Sequence, residues 1–293
     1  MILMKLRGTV LLFAAVLTLG GCAAGTAAPG TLSVVAGLYP YAYLAQAIGG
    51  DRVTVTNLTT PGAEPHDLEL TARQIATVAT ADLVIAESHL QPAVDAAIAT
   101  TAPARVLDVA TVLPLEERDH GADPHVWLDP VRMATLAEAV ARELAAIDPD
   151  HRSTYAANLA TLLDVLTGID QAYSSGLATC RRTAFITTHA AFGYLADRYG
   201  LTQIAIAGIS PDTDPSPARI AEIQQAAADQ GLTTVFFETL ASPALAQAIA
   251  GDLGLVTDQL DPIEGITAES RADSYPGLMA ANLQALRQAN GCS

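Results

Sequence analysis

Residues 149–177, PDHRSTYAANLATLLDVLTGIDQAYSSGL, decide how the rest of the chain is arranged. Asp148-Pro149 is a helix-start signal, with an acid in the capping position and proline at the first helical one. Beyond it Tyr155, Leu159, Leu162, Leu166, Ile169 and Tyr173 recur at steps of 4, 3, 4, 3 and 4, one apolar stripe on an amphipathic helix. Unbroken from Pro149 to Leu177, such a helix measures about 40 Å, well past the usual length. In an α/β chain it either covers one body along its whole length or bridges two. The residues on both sides favour a bridge.

Upstream, apolar strand-like runs alternate with helix-length connections. Strands are expected at Leu32–Ala36, Val53–Leu58, Leu83–Ala86 and Val106–Val109, and helices at Pro40–Ile48, Thr71–Ala79 and Gln91–Thr100. A further helix runs from Asp129-Pro130 to Ile147. Downstream the same grammar returns without the same sequence. Strands are expected at Thr183–Thr188, Gln203–Ala207, Thr233–Phe237 and Val256–Leu260, and helices at Ala190–Tyr199, Ser216–Gln230, Pro243–Leu253 and Tyr275–Gln288. Strands joined by helices form parallel sheets covered on both faces. The expected fold is therefore α/β, two lobes with parallel sheets flanked by helices, joined by one long backbone helix. Its boundaries fall at 31–148 for the first lobe, 149–178 for the linking helix and 179–293 for the second lobe.

Residues 1–21 read as a secretory signal peptide: Lys5 and Arg7 precede the 11-residue apolar run Thr9–Leu19. Eleven residues rise about 16 Å as a helix, too short for a bilayer core of about 30 Å. Leu19-Gly20-Gly21-Cys22 resembles a bacterial lipobox, which makes Cys22 the lipidation site and residues 22–30 a lipidated tether; the alternative is ordinary cleavage near Ala23 to Ala28. These readings place the chain outside the cytoplasm, anchored to the cell membrane, and as a monomer. With 15 Lys and Arg against 31 Asp and Glu, the net charge is −16 and no basic patch occurs, which argues against nucleic acid and anionic lipid surfaces as partners. Of the other two cysteines, Cys180 and Cys292, an oxidising compartment permits one intramolecular pairing, preferred here over two buried thiols or thiolate metal ligands.

The chain has six histidines: His66, His89, His120, His125, His151 and His189. Three of them, His66, His125 and His189, lie just beyond expected strands, where open parallel sheets bind their ligands. His66 and His125 each follow a proline, and His189 follows Thr187-Thr188, so all three are rigidly mounted. Trp127, the only tryptophan, is read as the apolar anchor of His125. Three neutral imidazoles suit Zn²⁺, an ion usually held by four ligands. Asp273 is the candidate fourth ligand, although ADSYP reads equally well as a helix N-cap. Glu64 is a second-sphere or alternative ligand, Glu238 a weaker candidate, and His120 with Glu116, Glu117 and Asp119 lies in the short loop LEERDHGAD.

Three segments, GAEPHDLEL at 62–70, DPHVWLDP at 123–130 and ITTHAAFGYLADRYGL at 186–201, resemble the metal-ligand segments of the zinc-uptake solute-binding proteins of bacterial ABC transporters. The likeness extends to LDPIEGI and ADSYPGLMAANL near the C-terminus. It implies a receptor in which His66, His125 and His189 bind the metal between two lobes, delivering it to an ABC permease. Manganese-type relatives carry Glu where this chain has His189, so the resemblance points to zinc; at Asp273 manganese-type and some zinc-type relatives supply a carboxylate. LEERDHGAD stands where many zinc receptors have a long His-rich loop, and is read as a solvated surface loop. Two alternatives remain: a manganese or broad divalent-metal receptor, and a zinc hydrolase with Glu64 or Glu238 as base. No HExxH pair supports the hydrolase.

Overall fold

Eight of the described strands pair in parallel to form two four-stranded sheets. The computed structural model describes residues 30–118, 121–211, 215–240 and 242–293; the expected leader and the tether up to residue 29, Cys22 included, and Asp119 and His120 lie outside the described residues. The first half runs β1 (Leu32–Ala36), α1 (Tyr39–Gly49), β2 (Val53–Asn57), α2 (Ala72–Thr80), β3 (Leu83–Ala86), α3 (Pro92–Thr101), β4 (Val106–Asp108), the single turn α4 (Val109–Val112), β5 (Glu116–Arg118) and β6 (Gly121–Asp123). Two helices then follow, α5 (Pro130–Ile147) and α6 (Arg152–Gly176). The second half runs β7 (Ala184–Thr187), α7 (Gly193–Tyr199), β8 (Thr202–Ala205), α8 (Pro217–Gln230), β9 (Thr234–Phe237), α9 (Ala244–Leu253), β10 (Val256–Gln259) and α10 (Tyr275–Asn290).

The sheets have orders β2-β1-β3-β4 and β10-β9-β7-β8, so each places its first strand between its second and third. The crossovers diverge between the first and third strands, which opens a crevice at the strands' carboxyl ends. β3 and β7 are buried along their whole length, as continuous apolar strands covered on both faces are. Outer helices close the far faces: Val78 and Val94 pack on β1 and β3, while Ile223 and Ile249 pack on β7 and β9.

The inner faces share one apolar core. It runs from Val34 and Leu44 through Leu136, Val140, Leu162 and Leu166 to Phe185, Leu278 and Leu286. At its centre, α6 packs on α5, α1 and α10. The expected stripe faces inward, with Tyr155, Leu162, Leu166 and Tyr173 buried and Leu159 and Ile169 half-buried. Polar bonds tie its ends to the two halves: Asn158 Nδ2 donates to Ile48 O at 2.9 Å, and Tyr173 hydroxyl to Met279 O at 2.7 Å. Cys180 and Cys292 form the disulfide, 112 residues apart in sequence. By loop-closure entropy a crosslink of that span stabilises the fold by about 5 kcal/mol. No described helix is long and apolar enough to cross a membrane.

Three details differ from expectation. Pro149–His151 is a 3₁₀ turn, and the long helix proper begins at Arg152. Helix α7 begins at Gly193, not at Ala190. LEERDHGAD is not an open loop throughout: Glu116 pairs with Asp123, and Arg118 with Gly121, in an antiparallel ladder. Arg118 explains the pairing, because its Nε reaches Asp123 Oδ2 at 2.8 Å while its Nη2 bonds Glu116 at 3.0 Å and Asp197 of α7 at 2.8 Å.

Candidate metal centre

Each half sends two side chains from its strand ends into the space between the sheets. His66 lies in the loop after β2, which is pinned by Gln91: its side-chain Nε2 donates to Thr59 Oγ1 at 2.9 Å and to Pro65 O at 3.3 Å. Glu64 Oε1 accepts from His66 N at 3.2 Å and shapes the same turn. His125 follows β6 and leads into a short 3₁₀ turn, Val126–Leu128, before the capped start of α5; Asp129 Oδ1 accepts from Val131 N at 2.9 Å. His189 follows β7, and Gln203 Nε2 donates to its carbonyl at 2.8 Å. The fourth side chain is Glu264, from the loop after β10.

Ligand atoms of His66, His125, His189 and Glu264 all lie within 4.8 Å of one another. His125 Nε2 is 3.3 Å from His189 Nε2 and 3.3 Å from Glu264 Oε1. Glu264 Oε1 is 3.4 Å from His66 Nε2 and 3.8 Å from His189 Nε2. Four donors at bond lengths of 2.0–2.1 Å around one ion form a tetrahedron with edges of about 3.3 Å. Four of the six separations, at 3.3–3.8 Å, are close to that edge, and the remaining two, from His66 to the other imidazoles, lie within 4.8 Å, an arrangement that a small ion would draw into a tetrahedral N₃O site. His66 Nε2 and Glu264 Oε1 are also buried without a hydrogen-bond partner, as expected of atoms aimed at a cation.

Carboxylates behind the rings set their orientation. Asp123 Oδ1 lies 2.8 Å from His125 Nδ1 and accepts from His125 N at 3.0 Å. Glu238 Oε1 lies 2.7 Å from His189 Nδ1, a close but poorly aligned contact, and accepts from His189 N at 3.2 Å. A proton held on Nδ1 leaves the Nε2 lone pair free for a metal. Burial alone pushes the His125 pKa down, but its bond to Asp123 and the Glu264 carboxylate 3.3 Å away reverse this and raise it to about 10. Burial likewise works against ionising Glu264, yet His125 and His66 hold it well below the carboxylate range. Burial, then the charge of Glu264, raises Glu64 to about 7. Glu87 beneath the site is raised to about 8 by burial, against the opposing bond from Tyr41. A divalent cation at this point would offset the buried acid around it.

The structure thus brings His66, His125 and His189 together but leaves Asp273 out. Asp273 is exposed beside the start of α10, and Glu264 occupies the fourth corner because the chain turns back at Asp261–Ile263. Glu64 stands behind His66 and Glu238 behind His189. His151 pairs with Asp148, and His89 is exposed with φ 75° and its N–H on Asp95. Glu264 carried a readable signal: it lies five residues past β10, whereas Asp273 lies next to a helix.

Two parallel-sheet lobes meeting at their strand ends around three imidazoles and a carboxylate define a two-lobed protein with an interlobe site fitted to a divalent metal. The chain belongs to the family described as zinc-uptake complex component A, periplasmic, whose model matches residues 34–289. It is 35% identical over 292 residues to the zinc-binding lipoprotein AdcA of Streptococcus pneumoniae, covering 93% of this chain and 58% of that protein. This chain therefore spans little more than half the length of that relative. It is 31% identical over 276 residues to the high-affinity zinc uptake system protein ZnuA of Bacillus subtilis, covering 87% of this chain and 86% of that one. Among solved structures, the Zn(II)-bound ZnuA-like domain of S. pneumoniae AdcA matches with a TM-score of 0.78 and 35% identity, over 89% of this chain and 99% of that chain. The laminin-binding protein Lmb of Streptococcus agalactiae, described as an adhesin with metal-transporting activity, matches with a TM-score of 0.81 and 32% identity, over 88% and 99%. The family expected from the three histidine segments is the family found.

Proposed function

We propose that this chain is an extracytoplasmic Zn²⁺ receptor that captures the ion between its lobes and delivers it to an ABC permease, with His66, His125, His189 and Glu264 as ligands. The observation that carries the reading is the convergence of those four donor atoms, four of their separations at 3.3–3.8 Å and all within 4.8 Å. Nitrogen-rich tetrahedral geometry suits zinc, whereas manganese prefers more oxygen ligands in an octahedron. Hydrolysis is disfavoured for the same reason: a catalytic zinc keeps one position open for water, and here Glu264 stands in it. The named zinc-uptake relatives support capture and transfer. A lipid anchor on Cys22 and a monomeric state complete the proposal, the former supported by the lipoprotein name of the pneumococcal relative.

Competition titration against a chromophoric chelator tests it. Zn²⁺ should bind well ahead of Mn²⁺, and His125→Ala should weaken Zn²⁺ binding at least about a hundredfold, since a lost ligand costs more than the 10–100-fold typical of outer-shell partners. Tighter binding of Mn²⁺, or an unchanged His125→Ala, would overturn the reading.

A further inference from the structure

Ile263 has φ 60°, a left-handed backbone that a β-branched residue adopts only when its surroundings enforce it. The other non-glycine residues with positive φ among those described, His89 and Ala102, are exposed; Ile263 is fully buried. It immediately precedes Glu264, so its conformation decides where that carboxylate points.

Two sets of bonds hold the turn. From its own lobe, Asp261 Oδ1 accepts from Ile263 N at 2.8 Å, and Asn282 of α10 grips the Asp261 backbone, its Oδ1 accepting from Asp261 N at 2.9 Å and its Nδ2 donating to Asp261 O at 2.7 Å. From the other lobe, Trp127 Nε1 donates to Pro262 O at 2.7 Å. Trp127 is fully buried two residues from His125, with ring centroids 5.3 Å apart. Its own carbonyl accepts from Tyr275 hydroxyl at 2.6 Å. Packing alone would be met by any large aromatic ring, whereas the indole N–H serves only the loop that carries Glu264.

We propose that Trp127 is a positioning residue for metal capture, its N–H holding Pro262 so that the left-handed Ile263 presents Glu264 to the metal in register with His125. The proposal rests on the four-ligand zinc reading. It makes the first lobe's ligand segment set the place of the second lobe's acid.

A double-mutant cycle tests this, with zinc affinity from chelator competition and the visible spectrum of the Co²⁺-loaded protein as readouts. Trp127→Phe keeps a ring and removes the donor; it should weaken zinc binding about tenfold, the scale of one buried hydrogen bond, and shift the Co²⁺ spectrum toward that of Glu264→Ala. Added to Glu264→Ala, Trp127→Phe should then cost less than about twofold, because residues acting through one another are not additive. Ile263→Gly, which adopts positive φ freely, gives a second route that leaves the indole in place, and should show the same non-additivity. Additive losses in both cycles, or full affinity in Trp127→Phe, would overturn the positioning role while leaving the ligand set intact. If Glu264→Ala itself changes neither affinity nor spectrum, the four-ligand reading falls, and the proposal with it.

Discussion

His125 is buried between two carboxylates, and its pKa near 10 means that the metal-free protein carries a proton where zinc needs a lone pair. Zinc binding must release that proton at neutral pH. Because the shift is upward, affinity should go on rising through pH 7 to 9 instead of levelling off above about 6.5, the ordinary histidine value. Calorimetry in buffers of different ionisation enthalpy at pH 7.5 should register at least one proton released; none would contradict the assignment. The same shifts set the stability of the metal-free protein. His125, raised to about 10, and Glu87, raised to about 8, bind more protons folded than unfolded above pH 7, so stability falls as pH climbs from 7 to 9. Glu264, shifted downward, is ionised in both states there and does not oppose the trend. Melting temperatures across that range should decline without metal and stay flatter with zinc. Side chains around the site separate by role as well. Asp123→Asn, which weakens the hold on His125 Nδ1, should cost zinc affinity about 10–100-fold, as outer-shell partners do. Asp273→Ala should leave affinity unchanged in the same titration, because its carboxylate is outside the cluster.

At the scale of elements, strong local signals were legible and long-range ones were not. The α6 stripe, the Asp129-Pro130 helix start and the strand-end histidines could each be read within a few neighbouring residues, since periodicity and capping are local. The place of Glu264 just past a strand was legible, but its orientation into the site was not, because Ile263 adopts a backbone that its residue type disfavours and that is held in part by Trp127, 135 residues away. The β5–β6 hairpin was equally hidden. Acid-rich LEERDHGAD shows no alternation, and its pairing depends on Arg118, whose guanidinium also bonds Asp197 and lies 5.1 Å from the Tyr194 ring centroid. Gly193 leaves the room it needs: a Cβ there would come within 2.7 Å of both Arg118 and Asp123. Arg118→Ala strips Asp123 Oδ2, in a fully buried carboxylate, of its partner, leaving only His125 on Oδ1. It should lower metal-free stability by about 1–3 kcal/mol, the cost of a buried polar group left unpaired, read as a fall in the urea midpoint. An unchanged midpoint would show the hairpin to be dispensable to the fold.

For the whole molecule, the shared core governs how the lobes can move. Both sheets have the same strand order, yet they are not two bodies on a thread, because α6, about 37 Å long at 1.5 Å per residue, packs on helices of both halves and is bonded at Ile48 and Met279. Trp127 to Pro262, Arg198 to Asp129 and Arg118 to Asp197 add polar ties across the same boundary. A wide hinge would have to break these bonds and pull apart the apolar face joining Leu162 and Leu166 to Leu136 and Leu278. Metal entry is therefore expected through local motion of the loop carrying His66, the one of the four ligands that is not fully buried. Small-angle scattering decides between the two modes. For a chain of this size the radius of gyration is about 18 Å, and loop motion with backbone shifts of about 1 Å in the lobes should change it by less than about 0.5 Å between metal-free and zinc-loaded protein. A decrease of about 1 Å or more on loading would mean that the lobes close as rigid bodies, and that α6 bends instead of acting as a strut.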